Sequence, residues 1–307
     1  MNTSSQLKKA ANLIPKTRLV LQEFFAVLAG KKPVMIYAIN PDDRKLIKDN
    51  FPQINIICRS QIVWNKKISF CALSKDKSLS EKAIDIFCSK SGGSFELLGD
   101  LMGYPRCCVK SHLRYCEQDN QLDFSAITYQ NYKLSNKCNF LVNNLLNFST
   151  RVGGEESSDF IRYSQLNKNL AIPYQYFQFI SHNSCKYDCK ESIKIGKETD
   201  SLLKEYAPKI EKIVKYTLSK PILFFSLFKL IIFDGYLEKG ILHYQKIIPP
   251  FFPIDSLLME KIENGNRIII DNKKIKILKN NSILFTYQKK NEADGFILDF
   301  SENDKKF

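Results

Sequence analysis

Four cysteines in two short runs are the residues best suited to chemistry in this chain. Gly103-Tyr104-Pro105-Arg106-Cys107-Cys108 sets two adjacent thiols behind a glycine and a proline. That pair turns the chain and starts a helix, because the proline ring fixes φ and the missing N–H is not needed in a first turn. The positive end of the helix favours thiolate, the form that binds metal. The second run, His182-Asn183-Ser184-Cys185-Lys186-Tyr187-Asp188-Cys189, puts its two sulfurs about a turn apart at another helix start. Together the runs offer the ligand count of a tetrahedral zinc ion or of a 4Fe–4S iron–sulfur cluster. Neither pair closes such a site alone, so Cys107, Cys108, Cys185 and Cys189 are expected to meet in the fold. Adjacent cysteines reach one zinc ion only through a cramped ring, whereas a cluster spreads its ligand positions. The spacing therefore leans toward iron–sulfur and leaves zinc open.

Other groups take secondary places. His182, three residues before Cys185, reads as a metal ligand, a hydrogen-bond donor to a ligand, a general acid/base or a cap of the following helix. His112, a turn after Cys108, offers a rival Cys-x-x-x-His set, and His243 reads as structural. Arg106, Lys110 and Lys186, with Arg114 and Lys190, flank the thiols and would balance their charge. Cys58, Cys71, Cys88, Cys116 and Cys138 read as small buried hydrophobes. Tyr174, Tyr176, Phe177 and Phe179 alternate as in a strand and read as core, with base stacking open to one or two of them. No phosphate-binding glycine loop and no nucleophile elbow stands in the sequence, which argues against a Rossmann enzyme, a P-loop NTPase or a serine hydrolase. Redox chemistry at Cys107 and Cys108 ranks last, because a vicinal disulfide closes a strained ring.

The run Gly103-Tyr104-Pro105-x-Cys107-Cys108, followed by His182-x-x-Cys185-x-x-x-Cys189-x-x-Ser192, resembles the motifs of archaeal and bacterial proteins of the "domain of unknown function 483" type, over roughly residues 95–195. In that pattern a proline often stands between the histidine and the first cysteine, where this chain has Asn183 and Ser184. The resemblance implies a shared cysteine site and supplies no reaction. A relative in that neighbourhood acts in transfer-RNA base modification.

The elements that must position these motifs read as an α+β protein in three parts: a small α/β unit over 1–94, a helical cysteine-bearing region over 95–220, and a mainly antiparallel β region over 221–307. A helix is expected over 5–29, broken or kinked at Pro15, then strands at 34–39, 54–58 and 68–73, with helices begun by Asn40-Pro41 and at Ser80. In the middle, helices are expected over 107–117 and 134–148, and from about Asp188 past Tyr216 with a kink at Pro208. Strands follow at 222–233, 240–247, 267–270, 274–278 and 283–288, turned at Asp234-Gly235, Asp271-Asn272 and Asn280-Asn281, with a helix over 254–263 and a fraying tail from Ser301.

Among the 307 residues, 46 are basic and 32 acidic, a net charge of +14 that suits a polyanion such as transfer RNA. No export signal and no apolar run of spanning length stands out, so a cytoplasmic protein with reduced thiols is expected, and its nine cysteines point to metal or thiol chemistry more than to disulfides. The composite reading is a four-cysteine metal-centre protein, with an enzyme modifying a small-molecule substrate or a nucleic acid as one open role. Its rivals are a non-catalytic RNA-binding protein with a structural zinc site and a thiol-redox protein.

Overall fold

The computed structural model describes residues 2–17, 19–63, 66–89, 94–118, 124–147, 176–226, 229–248 and 256–301. Tyr174, the tail beyond Ser301 and the side chain of Cys116 lie outside the described residues. By internal packing the chain divides into two compact units. One comprises Met1–Gln121, Phe179–Cys185 and Lys194–Glu211; the other comprises Leu122–Gln178, Lys186–Ile193 and Lys212–Phe307.

In the first unit, Pro15 breaks the N-terminal helical pattern instead of only bending it. Helix α1 (Thr3–Leu13) gives way to a 3₁₀ turn at Ile14–Lys16, and α2 (Leu21–Leu28) follows as a separate helix. Helix α2 is buried on nearly every side, and Glu23 is the charged residue within it. Strand β1 (Met35–Ala38) leads to α3 (Pro41–Asn50), whose Asn40 cap accepts the Asp43 N–H at 2.7 Å. Strands β2 (Asn55–Val63) and β3 (Lys66–Ser74) complete an antiparallel sheet in the order β1-β3-β2. Helix α4 (Lys77–Cys88) packs on β2 and β3, around Val34, Ala72, Ala83, Ile84 and Leu98.

One cysteine reading is corrected here. Cys58 and Cys71 are not separate buried hydrophobes but a disulfide across β2 and β3. The cause is register: the hairpin pairs Cys58 directly with Cys71. Helices α5 (Phe95–Leu101) and α6 (Arg106–Gln118) then pack closely, since a Cβ at Gly99 would stand 2.6 Å from Val109 Cγ2.

In the second unit, the helix expected over 134–148 does not form as such. Helix α7 (Phe124–Leu134) precedes it, and a 3₁₀ turn occupies Phe140–Val142. Asparagine and serine side chains there compete for the backbone. Ser135 Oγ donates to Asn131 O, Asn139 Oδ1 takes the Leu141 N–H, and Asn143 Nδ2 reaches Leu218 O at 2.9 Å. Tyr176 and Phe177, and Phe179 of the first unit, are buried as expected of core residues, but in turns and not in a strand. Later in the chain, α8 (Lys190–Tyr206), most of which belongs to the first unit, and α9 (Pro208–Leu218) are two helices separated at Ala207.

The C-terminal sheet holds β4 (Ile222–Ser226), β5 (Lys229–Glu238), β6 (Ile241–Ile248), β7 (Arg267–Ile270), β8 (Lys274–Lys279), β9 (Ser282–Gln288) and β10 (Phe296–Leu298). All pairings are antiparallel, in the order β10-β4-β5-β6-β7-β8-β9. The apolar run 222–233, read as one strand, is a hairpin of β4 and β5. Asp234-Gly235, read as its turn, instead lies inside β5, where the register with β6 shifts by one residue and leaves Gln245 of β6 unpaired. The glycine serves close approach there, because a Cβ at Gly235 would lie 2.1 Å from His243 O. The turn itself falls at Lys239-Gly240, whose φ values of 49° and 79° suit a tight hairpin. Helix α10 (Ser256–Asn264) covers one face, where Leu258 and Ile262 meet Leu242, Ile268, Ile275 and Ile277. Among the described residues no helix is long and apolar enough to cross a membrane. The fold is therefore mixed α+β, with an antiparallel C-terminal sheet.

Candidate metal centre

Helix α6 begins where Pro105 ends the turn. Its carbonyl accepts the Cys108 and Val109 N–H groups at 2.9 and 3.0 Å, so Cys107 and Cys108 occupy the first helical turn. Gly103 makes this possible with φ 71°, and a Cβ there would lie 2.8 Å from Pro33 Cδ. The two adjacent sulfurs stand 3.9 Å apart. Cys107 is exposed while Cys108 is 2% exposed.

The second run is held through its backbone. The Cys185 N–H donates to Cys108 Sγ at 3.3 Å, a bond that favours thiolate on that sulfur. The Tyr187 N–H donates to Ser135 Oγ at 2.6 Å, its carbonyl accepts from Asn139 N, and its ring meets Phe300 edge-on at 5.3 Å. Asp188 accepts from Asn136 N at 3.2 Å and pairs with Lys186 at 3.3 Å. Cys189 then takes the Ile193 N–H at 2.9 Å and so opens α8. The result is that the sulfurs of Cys107, Cys108, Cys185 and Cys189 all lie within 4.8 Å of one another. Four thiols at that separation are close enough to bind one metal ion. Cys189 is 3% exposed and Cys185 half-buried, which leaves Cys107 as the solvent-facing member.

No histidine belongs to this group among the described residues. His182 is 5% exposed and lies against the Tyr104 ring, with centroids 5.1 Å apart. His112 sits in α6 with Nδ1 buried and without a hydrogen bond among the described residues, and burial pushes its pKa below the usual histidine value. Of the flanking cations, Arg106 reaches Asp100 at 3.8 Å, Lys110 is exposed, and Lys186 is paired as above. Cys138 behaves quite differently from the four. Burial first, then the Asp299 carboxylate, pushes its thiol up to about 12, so it stays protonated.

Sequence reasoning missed one part of the surroundings. Lys32 is 9% exposed; its ammonium lies 2.9 Å from Glu23 Oε2, 2.7 Å from Ser181 Oγ and 4.8 Å from the centre of the Tyr104 ring. This buried ion pair fixes Ser181 and Tyr104, each a few residues ahead of a cysteine pair. The legible signal was Glu23, the one charged residue of a largely apolar helix. Comparison of the chain with protein-family models, curated proteins and solved structures gives no match.

Proposed function

We propose that Cys107, Cys108, Cys185 and Cys189 hold a single tetrahedral metal ion, with zinc the best fit, and that this centre staples a basic RNA-binding protein. The observation carrying the reading is the mutual separation of the sulfurs, all within 4.8 Å, with the adjacent pair at 3.9 Å. Zinc–sulfur bonds of about 2.3 Å in a tetrahedron put ligand sulfurs roughly 3.8 Å apart. A 4Fe–4S cluster binds each thiolate to a different iron and so spreads the sulfurs further. The separation thus favours zinc over the iron–sulfur reading that the sequence spacing suggested. A set of four thiolates also fills a tetrahedral shell, as structural zinc requires. The charge of +14 supports RNA, including transfer RNA, as the partner, and a cytoplasmic setting goes with that partner. On this reading the chain carries a divergent form of the "domain of unknown function 483" cysteine motif.

A second reading, an enzyme acting on a nucleic acid or a small molecule, is favoured by the exposure of Cys107, the most exposed thiol of the group. Elemental analysis and a visible spectrum of protein purified without oxygen test the proposal. The expected result is a colourless protein with about one zinc per chain. A brown, iron-containing protein with broad visible absorption overturns it.

A further inference from the structure

The C-terminal sheet has two unlike faces from β5 to β9. Helix α10 covers the inner one. On the other, strand pairing places a connected set of residues side by side, because directly paired residues share a face. Tyr236 pairs with His243, and His243 pairs with Arg267. Ile269 pairs with Lys276, Lys276 with Thr286, and Lys274 with Gln288. The Tyr236 and His243 rings are stacked, 10° from parallel with centroids 5.1 Å apart. Tyr236 is 54% exposed, Lys274 is exposed, and His243, Arg267 and Lys276 are partly so.

We infer that this face binds single-stranded nucleic acid, with one base stacked on Tyr236 and the backbone phosphates met by Arg267, Lys274 and Lys276. The inference rests on the reading of the chain as a nucleic-acid binder and adds to it the strand type and the site. Three observations favour that occupant. An exposed aromatic ring supported by a second ring is a platform of fixed orientation, and every base has a face to offer it. Arg267, the register partner of His243, is steadied by Asn281 Oδ1 at 2.8 Å, which holds its guanidinium in place. Lys274 and Lys276, with Asp271, Asn272 and Lys273, line a shallow, open hollow at the β7–β8 turn. Asp271 is engaged locally, accepting the Lys273 and Lys274 N–H groups, both at 2.8 Å. On the same face Asp234 is neutralised by Lys220 at 2.8 Å and Lys246 at 4.0 Å, which leaves Glu238, at the far end of β5, as the remaining acid of these strands. The face is thus basic as well as aromatic. A duplex keeps its bases stacked on one another and has no ring to lend to Tyr236. His243, read from sequence as structural, here supports the platform.

Fluorescence anisotropy of a labelled oligouridylate and of a duplex of equal length, each titrated with the full chain, tests the inference. The single strand should bind more tightly than the duplex. Tyr236→Ala should weaken single-strand binding roughly tenfold while Tyr236→Phe keeps it, as stacking predicts. Lys274→Gln with Lys276→Gln should flatten the salt dependence by roughly 0.7 in log–log slope for each phosphate no longer neutralised. Equal affinity for duplex and single strand, or an unchanged Tyr236→Ala variant, overturns the platform but leaves RNA binding standing. No binding of either probe at low salt overturns both. The metal content of Tyr236→Ala, expected to equal that of the parent, shows that the variant is folded and keeps the metal reading separate.

Discussion

Cys185 has two duties, since its sulfur joins the four-thiol group while its amide bonds Cys108 Sγ. A serine in its place keeps the amide and removes the sulfur. Cys185→Ser should therefore lose the metal and, because ligation free energy is also folding free energy, lower stability by about 4 kcal/mol or more. Cys58→Ser should leave the metal content of the chain unchanged, because its disulfide partner is Cys71. Elemental analysis of both variants decides the matter: equal metal loss would sink the division between the thiol group and the disulfide pair. The four cysteines were legible because both pairs stand at helix starts among turn residues. The disulfide was not, since no local signal reports that a hairpin register will set Cys58 opposite Cys71.

At the scale of elements, the bulge of β6 opposite Asp234-Gly235 governs how β5 meets β6. Gly235→Ala drives a methyl group into His243 O, at a separation of 2.1 Å before relaxation, so the strand must shift. A loss of about 2 kcal/mol or more in urea unfolding is expected, in the range of backbone clashes; a variant as stable as the parent would show that the bulge relaxes freely. Next to it, burial alone would raise the Asp234 carboxyl, but hydrogen bonds from Lys220 and Tyr216 and the charges of Lys220 and Lys246 outweigh it and hold the pKa low. A depressed folded pKa stabilises above the unfolded carboxylate value of about 3.9 and is lost as pH falls through the folded value. The stability gap between the parent and Asp234→Asn should accordingly be largest near neutrality and shrink on acidification below about pH 4; a gap that grows there would contradict the sign. Strands β6 to β9 were readable from alternation and turn residues. The β4–β5 hairpin was hidden because both its strands are buried apolar runs, and the Asp-Gly pair that looks like a turn serves the bulge. The segment after α7 misled for another reason. Its leucines keep helical spacing, while its asparagines bind the backbone elsewhere.

For the whole molecule, the surplus of basic residues gives a test independent of any one site. Binding to a transfer-RNA pool should weaken steeply with salt, with a log–log slope of about 0.9 for each duplex phosphate neutralised. An affinity no better than roughly 10⁻⁴ M at low salt, below ordinary non-specific binding, would remove RNA from the reading. Charge was fully legible in the sequence, because it is a sum. Its placement was legible only in part: the basic run Lys273-Lys274 with Lys276 and Lys279 stands in the sequence, but Tyr236, His243 and Arg267 join Lys276 only through the register of successive hairpins. Lys32 and Glu23 likewise gained meaning only once Ser181, far along the chain, closed on them.

The way the chain composes its first compact unit has a consequence for biosynthesis. That unit takes Met1–Gln121 together with Phe179–Cys185 and Lys194–Glu211. A ribosome adding roughly 5–20 residues per second must therefore run on for several seconds past Gln121 before the last of these segments emerges. Throughout that interval α2, whose buried faces include Phe25, waits for Tyr206, the ring it meets edge-on at 6.1 Å. The nascent N-terminal part is a natural client for a chaperone, and a gene fragment ending near Gln121 would encode a polypeptide that never acquires its missing partners.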